Sequence, residues 1–160
     1  MSATETHSIR VEPTQQSRLS QVDFNNLKFG KYFSDHMLVA EYENGEWTDV
    51  SVVPFGDLTI SPSMSALHYG QAIFEGIKAY KFEDGTVSIF RPEKNWERFN
   101  KSAARLEMPE VPEEIFIGGL KKTITSRQKL GAECRRNLPL HQTFYVCYRS
   151  SIRCSPVCYI

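Results

Sequence analysis

Residues 73–92 read IFEGIKAYKFEDGTVSIFRP, two arms rich in β-branched and aromatic residues around Asp84-Gly85. Asp-Gly between such arms signals a hairpin, because both residues tolerate the left-handed backbone that a tight turn between right-twisted strands requires. The stretch is therefore expected to fold as an antiparallel pair, and the period changes where it ends. Pro92 suits a first helical turn, and Trp96, Phe99, Ala103 and Leu106 recur at three- and four-residue spacing, so an amphipathic helix follows.

Upstream, HMLVAEYENGEWTDVSVVPF (36–55) carries the same kind of signal, with Asn44-Gly45 at the turn. SPSMSALHYG (61–70) reads as the loop joining the two hairpins. Downstream, Pro112-Glu113-Glu114 places acidic residues at the positive end of a second helix, which runs through Ile115, Phe116 and Leu120 toward Ile124. Gly118 and Gly119 weaken that helix, since glycine is a poor helix former. The fold class expected is α/β, in an α+β-like arrangement of antiparallel hairpins and two helices.

The chain has 160 residues, 41% hydrophobic and 24% charged, which matches one ordinary globular domain. No apolar run approaches the roughly 20 residues that span a bilayer, so no membrane partner is expected. The leader MSATETHSIRVEPTQQSRLSQV (1–22) is rich in Ser, Thr and Gln, but Glu5 and Glu12, with Asp23 just beyond, argue against a transit peptide. It reads as a mobile arm on a cytoplasmic protein. The net charge of zero hides a division: residues 1–126 hold 13 Lys/Arg against 18 Asp/Glu, and residues 127–160 hold 6 against 1. The acidic body has no basic face for nucleic acid, and the abrupt shift marks a boundary near Ser126.

Generic motifs supply little chemistry. There is no G-x-G-x-x-G, P-loop or H-E-x-x-H, and His36 and His68 each stand alone among aromatics, where a structural hydrogen-bonding role is the better expectation. Arg91 stands where a strand stops and a Pro-initiated helix starts. A guanidinium there suits phosphate oxygens, and pairing with a neighbouring carboxylate is the equal alternative.

FGKYFSDHMLVAEY (29–42), SALHYGQAIFEGIKAYK (65–81) and SIFRPEKNWERFNKSAARL (88–106) together resemble the N-terminal half of a branched-chain amino acid aminotransferase, a fold type IV pyridoxal phosphate enzyme. The resemblance runs from about Asp23 to Ser126. It implies that residues 23–126 form a small domain that closes over a larger, cofactor-bearing one absent from this chain, in an enzyme that is a homodimer. Arg91, the arginine of FRP, is implied to hold the cofactor phosphate. Phe29, Tyr69 and Phe74 are implied to wall the pocket for the side chain of leucine, isoleucine or valine, as apolar walls suit branched aliphatic groups. The implied reaction passes the amino group to 2-oxoglutarate, giving glutamate and a branched-chain 2-oxo acid. The cofactor-linked lysine belongs to the absent domain, and Lys78, Lys81 and Lys94 read as solvated surface charges. The fragment alone is expected to be inactive.

The tail 127–160 departs from the resemblance and is expected to be irregular. It holds all four cysteines, Cys134, Cys147, Cys154 and Cys158, in a C-x12-C-x6-C-x3-C spacing that lacks the C-x-x-C pairs of common zinc sites. Translated one nucleotide downstream from Arg127, the allowed codons include DKNWVP, then ETSLYIRPFMFAT, then FGVRPS, close to the family's next segment. The tail is therefore read as an out-of-frame translation, with no metal site. The alternative is a non-catalytic binding or metal-binding module built on the Cys/Arg-rich tail, and stoichiometric zinc would separate the two.

Overall fold

In the computed structural model the described residues are 8–23, 26 and 31–129, with the backbone of two further strands at 140–147 and 152–158. The elements in order are β1 (Arg10–Val11), a 3-10 turn (Leu19–Gln21), β2 (His36–Glu43), β3 (Glu46–Pro54), α1 (Ser65–Tyr69), β4 (Ala72–Lys81), β5 (Val87–Ile89), α2 (Pro92–Arg105), α3 (Glu113–Lys129), β6 (Leu140–Cys147) and β7 (Ile152–Cys158).

Both hairpins form at the expected turns. Asn44 and Gly45 take φ of 53° and 90° and join β2 to β3, with Glu43 opposite Glu46. At the second, Gly85 has φ 85° and its N–H reaches the Phe82 carbonyl at 3.0 Å, while β4 and β5 pair with Ala79 opposite Ile89. The segment read as a loop between the hairpins contains the short helix α1, which Gly70 ends in a left-handed conformation with φ 63°. Part of the segment read as a mobile arm is docked from Ser8 onward. β1 runs parallel to β3, the Thr14 N–H donates to buried His36 at 3.2 Å, and Arg18 stacks over the Phe55 ring while donating to its carbonyl.

The strands form one sheet in the order β1-β3-β2-β7-β6-β4-β5. The tail, expected to be irregular, thus contributes β6 and β7, antiparallel to each other and to β4 and β2. The reason is tertiary: β2 and β4 would otherwise each present an unpaired edge, and LHQTFYVC is a β-prone run able to satisfy one.

α2 buries Phe99 and Ala103 of the expected spacing and also Asn100, while Trp96 is half-buried and Leu106, at the C-cap, is exposed. α3 continues to Lys129, and the second of its two glycines, Gly119, lies against β2. A methyl group built on Gly119 would lie 2.2 Å from Leu38 Cδ2, with two more Leu38 carbons at 3.0 and 3.2 Å. Leu38 is itself buried, so the bare helix backbone is what lets α3 close on β2. The connection between the helices is pinned at one peptide: Asn100 donates to the Val111 carbonyl and accepts from the Val111 N–H, both at 2.9 Å, and Trp96 Nε1 donates to the same carbonyl at 2.6 Å. Phe99 and Phe116 meet across the helix pair with ring centroids 5.3 Å apart.

Gly119→Ala is expected to destabilise the chain by about 1–3 kcal/mol, because Leu38 must leave its rotamer in a packed core. Gly118→Ala, which meets only the tip of Ile9 at 3.1 Å, should cost less. Paired denaturant titrations measure the order of the two.

Candidate functional site

Strand β4 organises the site. Its residues alternate, with Ile73, Glu75, Ile77 and Ala79 buried beneath α2 and Ala72, Phe74, Lys78 and Tyr80 exposed on the opposite face. Phe74 is 70% exposed, and Tyr69, just before the turn that enters the strand, is 86% exposed. That turn is anchored by Gln71, whose amide donates to the Leu106 carbonyl at the end of α2 at 2.7 Å. His68 hydrogen-bonds the Pro62 carbonyl at 2.5 Å and His36 is buried among arm contacts, so both have structural partners.

Arg91 is exposed at the N-cap of α2 with φ 48° and ψ 52°, a left-handed conformation unusual for a residue with a Cβ. Its carbonyl accepts the Lys94 N–H at 3.0 Å, the first hydrogen bond of the helix. Among the described residues no carboxylate forms an ion pair with it. Its charge is nonetheless felt by Glu97, whose carboxyl is held below its ordinary value chiefly by the hydrogen bond from Lys94, with smaller attractions from Lys101 and Arg91. A cation beside the positive end of a helix, with no partner carboxylate among the described residues, suits a phosphate monoester.

Tyr69 thus lies just before β4, Phe74 on its exposed face, and Arg91 after β5, the strand paired with β4. Phe29 lies outside the described residues, as do Cys134 and the side chains of Lys81, Cys147, Cys154 and Cys158. Lys94 is engaged by Glu97 at 2.6 and 2.7 Å. Lys78 shares the exposed face with Phe74.

Sequence reasoning missed Glu75, which is 4% exposed and lies under α2. It accepts from its neighbour's N–H at Gly76 (3.0 Å), from Asn95 Nδ2 (3.1 Å) and from Arg98, through Nε (2.7 Å) and a second guanidinium nitrogen. The signal was present: a carboxylate takes the place of an apolar residue in the alternation Ile73, Glu75, Ile77, Ala79.

No family model matches the chain. Over 111 residues it is 50% identical to a protein of Staphylococcus epidermidis named "Probable branched-chain-amino-acid aminotransferase", a span of 69% of this chain and 31% of that one. It is 48% identical over 105 residues to the branched-chain-amino-acid aminotransferase of Mycolicibacterium smegmatis, covering 65% of this chain and 28% of the relative. Over its N-terminal part, the chain is homologous to branched-chain-amino-acid aminotransferases. It spans about a third of the length of these curated relatives. Among solved structures, a fold IV transaminase from Curtobacterium pusillum superposes with a TM-score of 0.53 at 14% identity, over 76% of this chain and 41% of that one, which shows the fold. The mixed α/β architecture is that of the N-terminal region of fold type IV aminotransferases.

The hairpin that precedes Arg91 depends on its turn. Asp84 Oδ1 accepts the Thr86 N–H at 2.8 Å, and that hydrogen bond, followed by one from the Thr86 side chain, lowers the Asp84 pKa below its ordinary value of 3.8. A depressed folded-state pKa stabilises the hairpin fully above the unfolded value, and the contribution is lost as pH falls through the folded one. Titration followed by carboxyl-carbon NMR should place the Asp84 midpoint below that of an unstructured aspartate. In Asp84→Asn the acid-induced change at the Thr86 amide should vanish.

Proposed function

We propose that the chain is the N-terminal part of a branched-chain-amino-acid aminotransferase, acting on leucine, isoleucine or valine with 2-oxoglutarate as amino acceptor. The observation that carries the reading is 50% identity over 111 residues to a relative of that name. Arg91 binds the phosphate of pyridoxal 5′-phosphate, and the residues present fit that group: an exposed guanidinium without an ion-pair partner among the described residues, at the start of a 14-residue helix. When bound, the cofactor supplies an electron sink for chemistry at the substrate Cα.

The part of this chain is binding and orientation. Tyr69 and Phe74, exposed beside β4, and Phe29 form apolar walls that exclude water from an aliphatic side chain and offer few polar groups to a wrong substrate. Arg91 fixes the cofactor from its phosphate end, so that positioning is supplied before reaction. The lysine that moves the proton is contributed from outside these residues, and the complete enzyme is a cytoplasmic homodimer. Residues 127–160 are an out-of-frame translation of the family's following segment, a reading supported by the charge shift after Ser126 and by codons that admit LYIRP.

Two measurements test this. The purified chain should bind pyridoxal 5′-phosphate or inorganic phosphate, lose that binding in Arg91→Ala by about tenfold or more, and transfer no amino group from leucine to 2-oxoglutarate. Turnover by the chain alone, or full binding by Arg91→Ala, would overturn these roles. The coding DNA should continue in the neighbouring frame through LYIRP; a shifted frame that lacks it, or stoichiometric zinc in the purified chain, would make the tail a module in its own right.

A further inference from the structure

Arg91 holds a backbone conformation that a non-glycine residue keeps only when its surroundings dictate it. Two anchors do so, and both are on β4. Upstream, β5 is hydrogen-bonded to β4 with Ile89 opposite Ala79. Downstream, Asn95 and Arg98, three residues apart on one side of α2, converge on the Glu75 carboxylate, and Asn95 also donates to the Gly76 carbonyl at 3.3 Å. Ala79 and Glu75 are four residues apart on the same buried face, so Phe90 and Arg91 bridge two fixed points.

We propose that Glu75 is a positioning residue for Arg91: by clamping the second turn of α2 to β4, it sets the left-handed start of the helix and hence the direction of the Arg91 guanidinium. The proposal rests on the reading of Arg91 as the phosphate anchor. Its chemistry is selective. A buried carboxylate needs several donors, and Asn95, Arg98 and the Gly76 N–H supply them from one helix and one strand, so the charge is satisfied only in one register of α2 on β4. Arg98 remains largely exposed, with its guanidinium held protonated more firmly by the Glu75 hydrogen bond and charge, and serves Glu75 without burying a cation. A leucine at position 75 would fill the space but would hold no register.

The test uses the 160-residue chain with inorganic phosphate and pyridoxal 5′-phosphate as probes, together with amide hydrogen exchange. In Glu75→Gln the Lys94 amide, which donates to the Arg91 carbonyl, should lose protection relative to amides of α3 such as Leu120. The Arg91 backbone shifts should move toward ordinary values, and both probes should bind about tenfold more weakly, the usual cost of losing a group that orients a ligand-binding residue. Asn95→Ala should do the same to a smaller degree. If Glu75→Gln does not fold, Arg98→Lys, which keeps the charge but not the planar fork, should give the same local change. Unchanged Lys94 protection and Arg91 shifts, or an equal loss across α2 and α3, would overturn the clamp. If Arg91→Ala binds both probes as the wild type does, it is the phosphate reading that fails, and the exchange data still decide whether Glu75 sets the helix start.

Discussion

A carboxylate sealed between a strand and a helix is the constraint from which the rest of the chain follows. Left uncompensated, a buried charge costs several kcal/mol, so Glu75 demands its donors and thereby dictates how α2 lies on β4. With α2 fixed, Asn100 and Trp96 meet the Val111 peptide, and the turn between the helices has one path. That path aims α3 across β2, where Gly119 allows the backbone to approach Leu38. Burial of Phe99, Ile115, Phe116 and Leu120 then supplies the apolar area that a single ionic contact could not.

The same geometry separates two kinds of surface on one strand. The buried side of β4 is structural and carries its one charge for register. The exposed side carries Phe74, Lys78 and Tyr80, Tyr69 lies just before the strand, and Phe90 and Arg91 follow its partner β5. Ile73, Ile77 and Ala79 fill the core from one face of the strand, and the aromatics of the other face stay exposed.

How much of this the sequence disclosed depended on the range over which each feature is determined. Asn44-Gly45 and Asp84-Gly85 are local, and both hairpins were legible from them. Pro92 and the spacing of Trp96, Phe99 and Ala103 likewise marked α2. Helix propensity is a property of one segment and marks Gly118 and Gly119 as weak points, whereas the value of Gly119 lies in Leu38 on a distant strand. Ser65–Tyr69 looked like loop because a helix of five residues has too little periodicity to notice. β6 and β7 were missed for a similar reason: their pairing is decided by the open edges of β2 and β4. Arg91, Tyr69 and Phe74 could be named from motif context, but Glu75, which lies within the same motif, was overlooked because its role is visible only with Asn95 and Arg98 opposite.

Placing the strands latest in the sequence at the centre of the sheet has a kinetic consequence. β2 and β4 have no direct hydrogen bonds to each other; β7 and β6 join them, with Ala40 opposite Cys154 and Phe74 opposite Tyr145. Each of those pairings closes a long loop and raises the contact order, and the entropy of closure must be spent before any ladder bond returns it. The two hairpins and the helix pair can form early from neighbouring residues, and the sheet becomes continuous only in a late and slow step. Until then two strand edges stay open, so this chain's hazard lies in the time it takes to fold as much as in the stability it reaches.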